Sequence, residues 1–349
     1  MSNPYTLVFG QPPIEIVERS AQAERIISEF CQEHPSNYLN LVTGIRGCGK
    51  TVFITRIAQQ LAEKDDWIVV NLNPQRDLLK TLAAKLHGDR VMSGWFQEAE
   101  INLQAFGFEV GVKGVPPVED IEDAVIKMLR SIQKHHRRVL ITIDEATNSK
   151  EIRAFASSYQ IFLREGLPVF LLMTGLYNHI DRLRNADGMT FLERAPRTVL
   201  SALNFTAMVE RYEKTLGITT EKATRLAKQT KGYSFAFQTI GYFFYESNGD
   251  MEKTFGGAKD YLEEFAYHKI MSELSENDLK VICAIARVSS GEILRIRELL
   301  GYTSNQFNPY RDRLLKSGVA VSTGTGYLDI ALPWFGEYVL KTLQEENQL

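Results

Sequence analysis

Cysteine is scarce: Cys31, Cys48 and Cys283 are the only three among 349 residues. That excludes a disulfide framework and a cysteine-based zinc site, and it suggests a reducing compartment. An excess of one charge is also missing. Forty Lys and Arg stand against 43 Asp and Glu, a formal net charge of −3, so no global field draws the chain onto nucleic acid or anionic lipid. Any such contact needs a local patch. The densest apolar run, Val169 to Met173, falls far short of the roughly 18 residues that a bilayer span requires. The opening MSNPYTLVFG has neither the basic nor the apolar region of a signal peptide. These absences predict a soluble, cytoplasmic protein with no membrane partner. The 44% hydrophobic and 24% charged residues are those of an ordinary globular chain, and the length predicts two or three domains.

From Tyr38 to about Leu200, short apolar runs alternate with helix-period stretches, the pattern of a parallel sheet covered on both faces. Strands are expected at Tyr38–Thr43, Trp67–Leu72, Val139–Asp144, Val169–Thr174 and Thr198–Leu200. Ile121, Ala124, Val125, Met128, Leu129 and Ile132 recur on one helical face, as do Ile152, Phe155, Tyr159 and Phe162. Strict alternation of Phe106, Phe108, Val110 and Val112 before Gly-Val-Pro-Pro predicts an inserted β-hairpin over about 102–117. After Leu203 the pattern is helical to about Glu273, with breaks near Gly217, Gly232 and Gly249. The block from Ser275 onward reads helix, helix, helix, then two short strands around Gly324-Thr-Gly326, the order of a winged helix-turn-helix. The expected domains are an α/β core with a parallel sheet over 1–203, a helical block over 204–273 and a C-terminal winged-helix domain over 274–349.

The sharpest local signal is Gly44-Ile45-Arg46-Gly47-Cys48-Gly49-Lys50-Thr51, after one expected strand and before a helical run that starts at Val52. It fits G-x-x-x-x-G-K-[ST], the Walker A pattern, in which backbone amides and a helix N-terminus hold phosphate anions. Glycines are needed because side chains would block that approach. Lys50 would place a charge on the β and γ phosphates, and the Thr51 hydroxyl would ligate Mg²⁺. Val139-Leu-Ile-Thr-Ile-Asp144-Glu145 delivers two carboxylates at a strand's carboxyl end, as in a Walker B strand, where open α/β sheets bind ligands. Asp144 suits Mg²⁺, and Glu145 suits a base that orients or activates water. Arg194 and Arg197, ahead of the last strand, are candidates for stabilising transition-state charge, with Arg182 and Arg184 as weaker rivals.

Together with Asn3-Pro4-Tyr5, Phe9-Gly10-Gln-Pro-Pro13 and Glu18-Arg19, these motifs resemble the AAA+/STAND ATPases. More closely, they resemble the archaeal-type ATPases and relatives of origin-recognition and helicase-loading proteins. The resemblance implies ATP with Mg²⁺ as the ligand, hydrolysis as the activity, and Ile16 to Arg19 bordering the base. It implies that Thr174, beside Gly175, is a polar sensor near the γ-phosphate, and that Asn71 and Asn73 couple partners to Glu145. It also implies a helical lid. One departure is visible: Lys231-Gly-Tyr-Ser-Phe-Ala-Phe-Gln has neither proline nor arginine after Gly232, where the family often carries a Gly-x-Pro or an arginine-bearing lid motif.

In the terminal block, Thr303 to Gly318 would be the recognition helix, with Asn305, Gln306, Arg311, Arg313 and Lys316 able to contact double-stranded DNA. That block carries eight basic residues against nine acidic ones, a weak footing for phosphate contacts. Two readings follow. One is a DNA-associated ATPase; the other is a STAND-like, nucleotide-operated switch that binds a protein partner or forms a homo-oligomer. His135-His136 and Cys48 read as a solvated turn and a small loop residue, and the aromatic run from Tyr233 to Phe244 reads as buried lid surface.

Overall fold

The computed structural model describes residues 3–7, 13–107 and 118–346. They fall into two compact units, Ser20–Thr43 with Lys50–Val199, and Met1–Arg19 with Gly44–Gly49 and Leu200–Leu349.

The first unit is a five-stranded sheet with helices. Its strands are β1 (Leu39–Thr43), β2 (Trp67–Leu72), β3 (Arg138–Ile143), β4 (Val169–Gly175) and β5 (Arg197–Val199). All pairings are parallel, and the order is β2-β3-β4-β1-β5. Every residue of β1 and β4 is buried, as expected for strands covered on both faces. β4 lies between β1 and β3, so the carboxyl ends of those three strands lie side by side; β2 is an edge strand. The helices are α1 (Ser20–Phe30), α2 (Lys50–Ala62), α3 (Leu78–His87), α4 (Arg90–Glu98), α5 (Ile121–Lys134), α6 (Lys150–Arg164) and α7 (Tyr177–Arg184). α5 begins where Asp120 accepts from the amides of Glu122 and Asp123, and α6 where Ser149 accepts from Ile152, both ordinary N-caps. The apolar faces expected of α5 and α6 are buried, with Met128, Leu129, Ile132, Tyr159 and Phe162 fully enclosed. Each of the aliphatic, Met and Phe side chains among them is worth about 1.5–3 kcal/mol of transfer free energy.

Part of the expected hairpin over 102–117 differs. Gln104–Phe106 form a 3₁₀ turn, because Asn102 Oδ1 takes the Gln104 amide and bends the chain. Residues 108–117 lie outside the described residues.

The second unit begins with α8 (Phe205–Leu216), α9 (Thr220–Gln229), α10 (Ser234–Glu246), α11 (Met251–Leu262) and α12 (His268–Ser272), with a π-helical turn at Glu263–Tyr267. Tyr5 is buried against this block, its ring 5.9 Å from Tyr212 and 5.8 Å from Phe237. Then follow α13 (Glu276–Arg287), α14 (Ile293–Leu300) and α15 (Ser304–Ser317), a two-stranded hairpin β6 (Ala320–Gly324) and β7 (Tyr327–Ile330), and α16 (Phe335–Glu345). This is the winged-helix order with one helix added. α14 and α15 stop at Gly301 and Gly318, both left-handed, as a C-cap glycine allows. Pro309 sits inside α15, which Thr303 caps through a capping box with Gln306. Its position in the second turn removes one backbone donor from the helix.

Candidate functional site

The Gly44–Gly49 loop leaves β1 directly, and α2 starts at Lys50. Gly47 and Gly49 have φ of +74° and +89°, the left-handed region that glycine enters without steric cost. At Gly47 space also decides, because a Cβ would fall 2.3 Å from Tyr233 Oη. Tyr233 Oη donates to the Arg46 carbonyl at 2.8 Å. Ser234 Oγ donates to the Cys48 carbonyl at 3.0 Å and accepts from Arg19 Nη2 at 3.2 Å. Arg19 Nη2 also donates to the Ser201 carbonyl at 2.8 Å, and burial lowers the guanidinium's pKa. Arg46 reaches Glu273 at 3.2 Å. Burial pushes the Tyr233 phenol up, with smaller effects from Cys48 and Arg46, so the hydroxyl stays a neutral donor at any ordinary pH. Cys48 is buried as a small loop residue.

In the first unit, α2, β3 and β4 bring a second cluster together. Thr51 Oγ1, in the first turn of α2, donates to Asp144 Oδ2 at 2.6 Å. Thr174 Oγ1, at the end of β4, donates to the other oxygen, Asp144 Oδ1. The same threonine oxygen accepts from the Glu145 amide at 3.3 Å, which also reaches Asp144 Oδ1 at 3.0 Å. The Glu145 backbone is left-handed, φ +57°, a strained setting for a residue with a Cβ, and its side chain is exposed. The Ala146 amide donates to the Thr174 carbonyl at 2.7 Å. At Gly175, a Cβ would meet the Ala146 carbonyl at 2.7 Å, so that glycine lets the chain after β3 lie against β4. Thr51 and Asp144 thus offer two oxygen donors of the kind Mg²⁺ takes. Among the described residues no group of three or more His, Cys, Asp or Glu could hold a metal ion.

Other expected residues stand differently. Arg194, itself exposed, ends a 3₁₀ turn, Thr190–Arg194, that is anchored by the buried Leu192, and it pairs with no other described residue. Arg197 places its guanidinium 4.9 Å above the Tyr177 ring. Arg184 donates to the Leu192 and Glu193 carbonyls. Asn71 accepts from Thr142 Oγ1 at 2.5 Å, and Asn73 from the Gln75 amide at 2.9 Å; neither bonds Glu145 among the described residues. Phe9 to Pro12, part of the motif quoted above, lie outside the described residues.

The recognition-helix reading needs a correction. Arg313 holds the buried Asp278 of α13 through Nη2 to Oδ1 at 2.6 Å and Nε to Oδ1 and Oδ2 at 3.0 and 3.1 Å. Its guanidinium also lies 5.2 Å from the Tyr310 ring. Arg311 pairs with Asp312 at 3.3 Å. One of the two arginines assigned to DNA is therefore committed to the fold. Tyr233 and Ser234 are the residues that the sequence did not single out; a tyrosine in an aromatic run reads as core, and only its hydroxyl hinted otherwise.

Residues 35–178 match the AAA domain family, and residues 265–339 match a domain of unknown function (DUF8462). No curated protein matches the sequence. In fold the chain is similar to a Walker-type ATPase of Pyrococcus abyssi, at 14% identity and a TM-score of 0.58 over 93% of this chain and 96% of that one. It is also similar to the ORC2 protein of Aeropyrum pernix, solved as ADPNP–ADP complexes, at 15% identity and 0.55 over 98% of each.

Proposed function

We propose, for a chain whose core is an AAA+ P-loop fold resembling the origin-recognition ATPases, that it binds ATP with Mg²⁺ and hydrolyses it. One observation carries the reading: the hydroxyl that follows the Walker A lysine and the carboxylate that ends β3 meet at 2.6 Å. Open α/β sheets generally bind ligands at the carboxyl ends of their strands, where this pair lies. Gly44 to Val52, continuous from β1 into α2, supply the amides and the helix N-terminus for the phosphates. Lys50 adds a point charge on the β and γ phosphates. Thr51 and Asp144 would hold Mg²⁺, which when bound neutralises phosphate charge and polarises the γ-phosphoryl group.

Glu145 is the proposed catalytic base. Its amide is fixed by Asp144 and Thr174, and its exposed carboxylate is free to accept a proton from, or orient, a water molecule in line with the γ-phosphate. Thr174 orients Asp144 through its hydroxyl; a sensor role would require that hydroxyl to exchange this partner for a phosphate oxygen. Arg194, exposed and unpaired with any described residue, supplies transition-state charge.

The winged helix is the proposed route to a partner, double-stranded DNA, through Asn305, Arg311 and Lys316. ATP turnover measured with and without duplex DNA at fixed low salt tests this. Stimulation that is lost in Lys316→Ala supports it, and turnover indifferent to DNA leaves a switch that answers to protein partners.

A further inference from the structure

Ser234 is the first residue of α10, after Tyr233 at the N-cap, and no side chain caps the helix's first amides. Both hydroxyls turn instead to the phosphate loop: Ser234 Oγ donates to the Cys48 carbonyl at 3.0 Å, and Tyr233 Oη to the Arg46 carbonyl at 2.8 Å. The two carbonyls belong to the peptide units that end at Gly47 and Gly49. No peptide bond among the described residues is cis, and in a planar trans unit the C=O and N–H point in opposite directions. Pinning the two oxygens therefore fixes the Gly47 and Gly49 N–H groups facing the other way. Neither N–H has an acceptor among the described residues, whereas the intervening Cys48 amide is used by the Ile45 carbonyl at 3.2 Å.

Something must hold these peptides, because glycine enters left- and right-handed backbone about equally. A flip at either unit is cheap, and it would turn a carbonyl oxygen where a donor is wanted. We infer that Tyr233 and Ser234 are positioning residues of the phosphate loop: their hydroxyls hold two peptide planes so that the Gly47 and Gly49 amides are presented to the polyphosphate. The inference rests on the phosphate-loop reading and gives the segment after Gly232, which lacks the arginine of the usual lid motif, a different task. Arg19, bonded to Ser234 Oγ at 3.2 Å, orients that hydroxyl from behind.

The test is calorimetric titration with ATP and ADP, beside the thermal midpoint without nucleotide, for the full chain and for Tyr233→Phe, Ser234→Ala, Ser234→Thr and Lys50→Ala. Losing one such hydrogen bond should weaken both nucleotides about three- to tenfold. Ser234→Thr, which keeps the hydroxyl, should bind like the wild type. A merely structural role would lower the midpoint and leave affinity unchanged, so wild-type affinity in Ser234→Ala and Tyr233→Phe overturns the inference. Should Tyr233→Phe fail to fold, Ser234→Ala decides alone. Loss of binding in Lys50→Ala alone would keep the phosphate reading while this inference falls; a wild type that binds neither nucleotide removes both.

Discussion

Replacing Arg313 by alanine separates a structural arginine from a DNA-reading one. The Asp278 side chain is 4% exposed and takes three charge-assisted contacts of 2.6 to 3.1 Å from one guanidinium. Ser275, the cap of α13, also donates its amide and hydroxyl to Asp278 at 3.1 and 2.6 Å. Stripping the partner from a buried ion pair typically costs about 3–5 kcal/mol, because an uncompensated charge stays behind. Two features reduce that figure here. The Arg313 side chain is 36% exposed, so solvent screens the pair, and the Ser275 donors remain. About 2–3 kcal/mol is then expected for Arg313→Ala, or roughly 5–10 °C in the melting of the unit that carries the winged helix. Arg313→Lys should recover less than half, since an ammonium cannot reproduce the fork. Differential scanning calorimetry reads the shift, and DNA affinity at fixed salt is measured on the same samples. If Arg313→Ala melts like the wild type while DNA binding is lost, the pair is dispensable and the helix does present that arginine to DNA.

Other substitutions probe the nucleotide chemistry. Glu145→Gln should retain ATP affinity and lose about 100-fold or more in turnover, and undiminished single-turnover hydrolysis would take Glu145 out of the mechanism. Arg194→Ala should leave affinity nearly intact and lower turnover; equal losses in both would reject its transition-state role. Thr174→Val removes the donor to Asp144 at nearly constant volume, so half-maximal ATP binding should need several-fold more Mg²⁺, with ATP affinity at saturating Mg²⁺ close to wild type. An unchanged Mg²⁺ titration would show that Thr174 does not orient Asp144.

The strands of the α/β unit were legible as short apolar runs, several of them buried on both faces, and its two amphipathic helices because each buries one face at the helical period. The sequence also singled out Thr51, Asp144 and Glu145 as candidates, since a phosphate-loop motif and a carboxylate strand end are local patterns, and the structure brings Thr51 and the Glu145 amide to Asp144. Partner choice was not legible. Arg313 looks available in any reading of its helix, because the carboxylate that claims it lies 35 residues upstream. Tyr233 and Arg46 are 187 residues apart, and periodicity treats the tyrosine as a hydrophobe whose hydroxyl has no address. Gln104–Phe106 read as strand from alternation alone, and a single Asn102 side chain turned it. What fails is long-range polar pairing; what succeeds is burial and backbone geometry.

The most direct measurement is isothermal titration calorimetry with ATP and Mg²⁺ on the wild type and on Lys50→Ala. A saturable isotherm that weakens at least about tenfold on loss of the lysine charge is the expected result. A flat trace for the wild type, or superimposable isotherms for the two proteins, would contradict the claim that residues 44 to 51 hold a triphosphate.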